Sequence, residues 1–133
     1  MDTHEHKQSL RTPLAKVRGL GSAKEGVEHW WHQRLTSLAL IPLTLWFVYA
    51  VVTLSGADYK TVAAWGGAPL NAIFLVLLIG TTFHHTVAGC QVVIEDYVHN
   101  EVLKTLSLIT LKFVAIVLAA AGIFAVLKLA LGH

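Results

Sequence analysis

Cysteine and charge are what this chain has least of. A single cysteine, Cys90, among 133 residues excludes a disulfide framework within the chain, and the absence of a C-x-x-C-H run excludes covalent haem attachment. Charged residues make up only 14% of the chain, against 55% hydrophobic and a mean hydropathy of +0.61, a balance that excludes an ordinary small soluble domain. The segment before Leu35 carries charges but no apolar h-region, so no cleavable signal peptide is expected and the first apolar stretch should itself direct insertion. No internal repeat or low-complexity tract is evident, and the length leaves no room for a separate catalytic module.

What is present is apolar length. Stretches from about Leu35 to Leu54, Leu70 to Val93 and Leu106 to Leu131 each reach the roughly 20 residues that a helix needs to cross a hydrocarbon core of about 30 Å. In lipid the backbone must satisfy its own hydrogen bonds, so these runs predict helices. The expected fold is an all-α membrane protein with three transmembrane helices and a short interfacial N-terminal segment. Residues 1–22 read as a polar, basic arm in an extended or mobile state, and residues 23–133 as one anchor domain. Trp30 and Trp31, and Trp65 with Tyr59 in the first connection, are expected at the headgroup level. Lys112 and Lys128 stand near opposite ends of the third span, where long side chains snorkel outward.

Lys7, Arg11, Lys16, Arg18, Lys24 and Arg34 precede or open the first span, whereas the first connection carries only Lys60, offset by Asp58. The positive-inside rule then predicts a cytoplasmic N-terminus in a bacterial inner membrane, or a matrix-side one in the mitochondrial inner membrane. The second connection, around Tyr97 to Lys104, returns to the basic side.

The second span carries an unusual polar stripe. At about 100° per residue, Gly89 and Asp96 lie within roughly 40° of His85, and Tyr97 is rotated by about 120°. A rise of about 1.5 Å per residue puts some 18 Å between His85 and Tyr97, giving a deep and a shallow candidate site on one helix. An intramembrane ionisable residue is costly unless something polar is bound there. His85 therefore reads as an axial ligand of a haem iron, with Gly89 clearing space for a flat macrocycle, or as a histidine bonded to another helix with Gly89 allowing close packing. His84 points about 100° away, so only one of the pair would bind.

Asp96 and Tyr97 read as the proton-donating end of a quinone pocket, since a quinone carbonyl gains negative charge on reduction, or as an interfacial tyrosine beside a solvated acid. Glu95 and Asp96 sit near a helix C-terminus, where the dipole disfavours anions, so a compensating cation is expected. Arg34 is the candidate, or else it holds a haem propionate, or it is a positive-inside flank. His29 and His32, one turn apart, lack a third ligand at helical spacing and make a poor metal pair. Thr36 and Ser37 offer hydroxyls to a pocket, although back-bonding to their own helix is the plainer expectation.

Gly26, Val27 and Arg34 in G-V-x6-R, and His85, Gly89, Asp96 and Tyr97 in H-x3-G-x6-D-Y, within three spans of matching order, resemble the hydrophobic membrane anchor, or D subunit, of succinate dehydrogenase, respiratory complex II. The similarity runs from about Gly21 onward. It implies that His85 supplies one axial ligand to a haem b shared with a second membrane anchor subunit, a cytochrome b, which gives the other histidine. It implies that Tyr97 bonds ubiquinone with Asp96 as its acidic neighbour, and that Arg34 lies near the propionates and the quinone. FAD and iron–sulfur clusters would belong to a flavoprotein and an iron–sulfur subunit on the basic side, and no nucleic acid is expected. A chain without catalysis of its own, serving succinate-to-quinone electron transfer, is the implied function. The alternatives are the anchor of a quinol:fumarate reductase and a haem-free structural or assembly protein.

Overall fold

A computed structural model describes residues 12–19, 21 and 25–132. Helices run α1 Pro13–Val17, α2 Glu25–Thr53, α3 Tyr59–Gly67, α4 Pro69–Tyr97 and α5 Glu101–Leu131, with no strand among the described residues. Three of them, α2, α4 and α5, are long and apolar enough to cross a membrane, as the apolar stretches foretold. Each begins or ends beyond the apolar run that identified it. Glu28, Trp30 and Trp31 belong to α2 itself, and Asp96 and Tyr97 close α4. The interfacial N-terminal segment is thus continuous with the first span.

Three segments outside the spans differ from expectation. The arm predicted to be extended contains α1, started by Thr12, whose hydroxyl accepts from the Ala15 amide at 3.2 Å, with Pro13 preset for the first helical turn. The rest of that arm, residues 1–11, 20 and 22, lies outside the described residues. The first connection holds α3, where Asp58 Oδ1 accepts from the Thr61 amide at 2.9 Å. Gly56 enters it at φ 83°, a left-handed turn that a side chain would strain. Glu101 and Lys104 were expected in a loop, but Asn100 caps α5 at the Leu103 amide, so the turn shortens to Val98–Asn100.

α4 is the middle of the assembly. It packs against α2, α3 and α5, whereas the backbones of α2 and α5 stay apart. The buried apolar side chains are small, namely Ala50, Ala72, Ala88, Ala115 and Val126, and most of the large ones are exposed. Small residues let helices approach where lipid provides no hydrophobic drive between them. Gly122 shows the limit. A Cβ there would sit 3.3 Å from Ile79 Cδ1 and 3.5 Å from its Cγ2.

At the end of α2 opposite its Trp30–Trp31 pair, Trp46 stacks on Trp65 of α3 at 5.5 Å and meets Phe74 of α4 edge-on at 5.4 Å. Asn71 Nδ2 also donates to the Trp65 carbonyl at 2.9 Å. These contacts tie three helices together on one side of the molecule. In the middle of α2, Pro42 has no N–H to donate, so the Leu38 carbonyl loses its helical partner.

Gly122→Leu should cost about 1–3 kcal/mol by forcing α5 off Ile79. Gly80→Ala, whose Cβ meets nothing within 4 Å, should be near neutral. Thermal denaturation in detergent checks the pair, and equal melting of the two variants would contradict this packing.

The Asp58 carboxyl is held below the ordinary aspartate range by hydrogen bonds from the Thr61 side chain and then its backbone amide. A depressed folded-state pKa means that the cap is fully formed above the usual aspartate range and is lost as pH falls through the lowered value. Protection of the Thr61 amide in hydrogen exchange should therefore fall on acidification into that range, and Asp58→Asn should abolish the pH dependence.

Candidate functional site

The antiparallel seam of α2 and α4 brings the deep half of the polar stripe against α2. Thr36 Oγ1 lies 3.1 Å from His85 Nδ1, and the imidazole is half-buried. The same Oγ1 is 2.8 Å from the His32 carbonyl and 3.1 Å from that of Gln33. Thr36 thus back-bonds to its own helix, as expected of a threonine in lipid, and reaches a second helix as well. Ser37 only back-bonds, donating to the Gln33 carbonyl at 2.7 Å. His85 Nε2 makes no hydrogen bond among the described residues, and it is not among the fully enclosed unpartnered polar atoms.

Gln33, one turn from Thr36 on the same face, lies opposite Gly89. A Cβ at Gly89 would stand 3.8 Å from Gln33 Nε2, an ordinary contact. Packing of α2 on α4 therefore places no demand for glycine at this position. Gln33 Oε1 is buried with no hydrogen-bond partner among the described residues. That orphan acceptor makes the seam around Gly89 polar and incomplete. Gln33 carries no motif, but with Thr36 it forms a pair three residues apart, at the spacing that aligns with His85 and Gly89, which was the available signal.

His84 stands on another flank, exposed, with its ring 5.9 Å from that of His32. His32 Nε2 in turn lies 3.7 Å from Glu28 Oε1. Glu28, His29, His32, His84, Gln91 and Lys112 line a cleft of about 410 Å³ between α2, α4 and α5. Among the described residues no group of three His, Cys, Asp or Glu side chains could hold a metal ion, so His29 and His32 gain no third ligand. The two adjacent histidines accordingly serve different surroundings, His85 inside the seam and His84 in this outer cleft.

At the shallow end Tyr97 is 77% exposed and Asp96 is also exposed, so nothing among the described residues encloses a site there. The expected pairing of Arg34 with the acids does not occur. Gln33 opposite Gly89 and Thr36 opposite His85 set the register, which puts Arg34 level with the turn after His85, short of Asp96. It is turned about 160° around α2 from Thr36. Its guanidinium lies 5.3 Å above the Trp30 ring, a cation–π contact with its own helix. Glu95 is met instead by Gln91 Nε2 at 2.8 Å. The ion pairs among the described residues, His32 with Glu28 and Lys104 with Glu101, include neither Glu95 nor Asp96.

The described residues thus bring together a half-buried imidazole fixed through one nitrogen and, at the helix end, an exposed phenol. A family model of the succinate dehydrogenase/fumarate reductase transmembrane subunit matches residues 8–126. The chain is 34% identical over 117 residues to the succinate dehydrogenase hydrophobic membrane anchor subunit of Rickettsia bellii (strain RML369-C), covering 88% of this chain and 94% of the relative. It is 31% identical over 121 residues to the subunit of the same name from Paracoccus denitrificans, with 91% and 93% covered. A succinate dehydrogenase membrane anchor subunit of Reclinomonas americana is 31% identical over 96 residues, 70% of this chain and 80% of that one. Three membrane-length helices, the joined deep site and these matches agree: the chain is a membrane anchor subunit of the succinate dehydrogenase/fumarate reductase transmembrane subunit family.

Proposed function

We propose that this chain anchors a succinate:quinone oxidoreductase in a bacterial or mitochondrial inner membrane, supplies one axial ligand of a haem b through His85, and forms part of a ubiquinone site with Tyr97 and Asp96. The carrying observation is the His85 ring, tethered at Nδ1 by Thr36 with Nε2 unbonded and not sealed inside the chain. A histidine that merely packed within a span would leave that second nitrogen facing hydrocarbon, a costly arrangement. An imidazole held by one nitrogen and open at the other has the donor set that a haem iron requires. Gly89 agrees, because the helix contact within the chain does not need its missing side chain.

When bound, the haem would supply one-electron redox capacity within the membrane. The chain's own residues do the rest. His85 binds and orients from the α2–α4 seam, and the apolar surface of both helices excludes water. Tyr97 Oη, at the α4 terminus, donates a hydrogen bond to a quinone oxygen that gains negative charge, and Asp96 relays protons there. Arg34 is the residue least supported, since it stacks on Trp30 and faces away from Thr36. A second anchor subunit would give the other histidine, and an iron–sulfur subunit, itself docked to a flavoprotein, would cover Tyr97 on the cytoplasmic or matrix side. The direction of electron flow follows potentials set in those subunits. The names of the relatives favour succinate oxidation over fumarate reduction.

In the purified complex, His85→Ala should remove the b-type signal from the reduced-minus-oxidised spectrum and His84→Ala should retain it. An unchanged spectrum in His85→Ala refutes the ligand assignment. Tyr97→Phe should slow succinate-to-quinone turnover on the order of 10²-fold, the scale of one lost donor to developing charge. Succinate oxidation by a soluble dye should stay intact, whereas equal loss of both activities would make Tyr97 structural.

A further inference from the structure

We propose that Thr36 is a positioning residue for His85, fixing the imidazole as the tautomer that carries its proton on Nδ1 and presents the lone pair of Nε2. The proposal rests on the haem-ligand reading of His85 and adds a residue to it. Its basis is a count of protons around one oxygen. Thr36 Oγ1 has a single hydrogen and three neighbours within bonding distance, the His32 carbonyl at 2.8 Å, the Gln33 carbonyl at 3.1 Å and His85 Nδ1 at 3.1 Å. Both carbonyls can only accept, so the hydroxyl proton must point at one of them. The Gln33 carbonyl already accepts from Ser37 at 2.7 Å, which leaves His32 as the natural acceptor.

With its proton committed, Oγ1 faces Nδ1 with a lone pair, and a stable contact requires Nδ1 to carry hydrogen. The reverse assignment would leave two acceptor oxygens 2.8 Å apart with no hydrogen between them. A neutral imidazole protonated on Nδ1 has its free lone pair on Nε2, the nitrogen without a partner among the described residues. The chain Nδ1–H to Oγ1–H to the His32 carbonyl polarises each bond in the same direction. It ties the ring to the α2 backbone, fixes its rotation and makes Nε2 a stronger electron donor, the usual effect of a partner behind a metal-bound histidine.

A stronger donor favours the ferric state, so loss of the Thr36 hydroxyl should raise the haem reduction potential. The test uses the assembled complex, with redox titration of the b-type absorbance and haem content per complex as readouts. Thr36→Val, equal in shape but without an acceptor, should shift the reduction equilibrium by up to tenfold toward the ferrous state, at most about 59 mV for a one-electron couple. Thr36→Ser should restore the wild-type potential.

An unchanged potential in Thr36→Val overturns the proposal, as does a Thr36→Ser shift equal to that of Thr36→Val. If Thr36→Val does not assemble, Thr36→Ala is read by the same criterion. Failure of both variants with Thr36→Ser intact makes the hydroxyl purely structural and also overturns it. Retention of haem in His85→Ala refutes the ligand reading itself, a result distinct from a null effect at Thr36 with haem lost in His85→Ala.

Discussion

In hydrocarbon a backbone has no water to bond, and lipid tails attract an apolar side chain as well as another helix does. Both facts shape this chain. Its spans are continuous helices that close nearly all of their own hydrogen bonds, Pro42 being the exception, and small residues stand at their close approaches, tightest where Gly122 meets Ile79. Large apolar residues gain little by turning inward and mostly face out. A few polar contacts between helices then carry disproportionate weight, and the hydrogen bond between Thr36 and His85 is the only side-chain one among the described residues that joins two spans.

That contact explains how one helix presents two unlike surroundings. The deep half of α4 is held against α2, where a hydroxyl and an amide surround His85 and Gly89. The shallow half leaves the seam and ends in Asp96 and Tyr97, exposed toward whatever subunit meets the helix terminus. On the proposed reading, rigid placement suits a haem ligand that must not move, and exposure suits a donor that meets a diffusing quinone. The outer cleft of His84, His32 and Lys112 belongs to neither half.

Spans were legible because apolar length in lipid admits one backbone solution, and the alignment of His85 with Gly89 followed from helical period alone. Boundaries were less so, because helices continue through polar residues such as Glu28 and Asp96 once propagation costs less than stopping. The helix α3 was hidden by Gly and Asp residues that also mark turns, and Asp58 in fact caps it. Arg34 was misplaced because membrane side alone does not tell how far along a helix, or on which flank, a residue sits. The double bonding of Thr36 was out of reach, since it depends on how α2 and α4 are set against one another. Quinone and haem assignments drew on family resemblance, because a site completed by another subunit leaves only half its pattern in one chain.

The aromatic cluster of Trp46, Trp65 and Phe74 has a mechanical consequence. It grips α2 and α4 about 15 Å along the axis from Thr36, counting ten residues at the helical rise. Two rods pinned at one end open at the other. On the proposed reading, a flat group seated beside His85 would work against a long lever whose fulcrum is that cluster, so any parting of the two helices would be least there and greatest at the membrane face where Tyr97 lies.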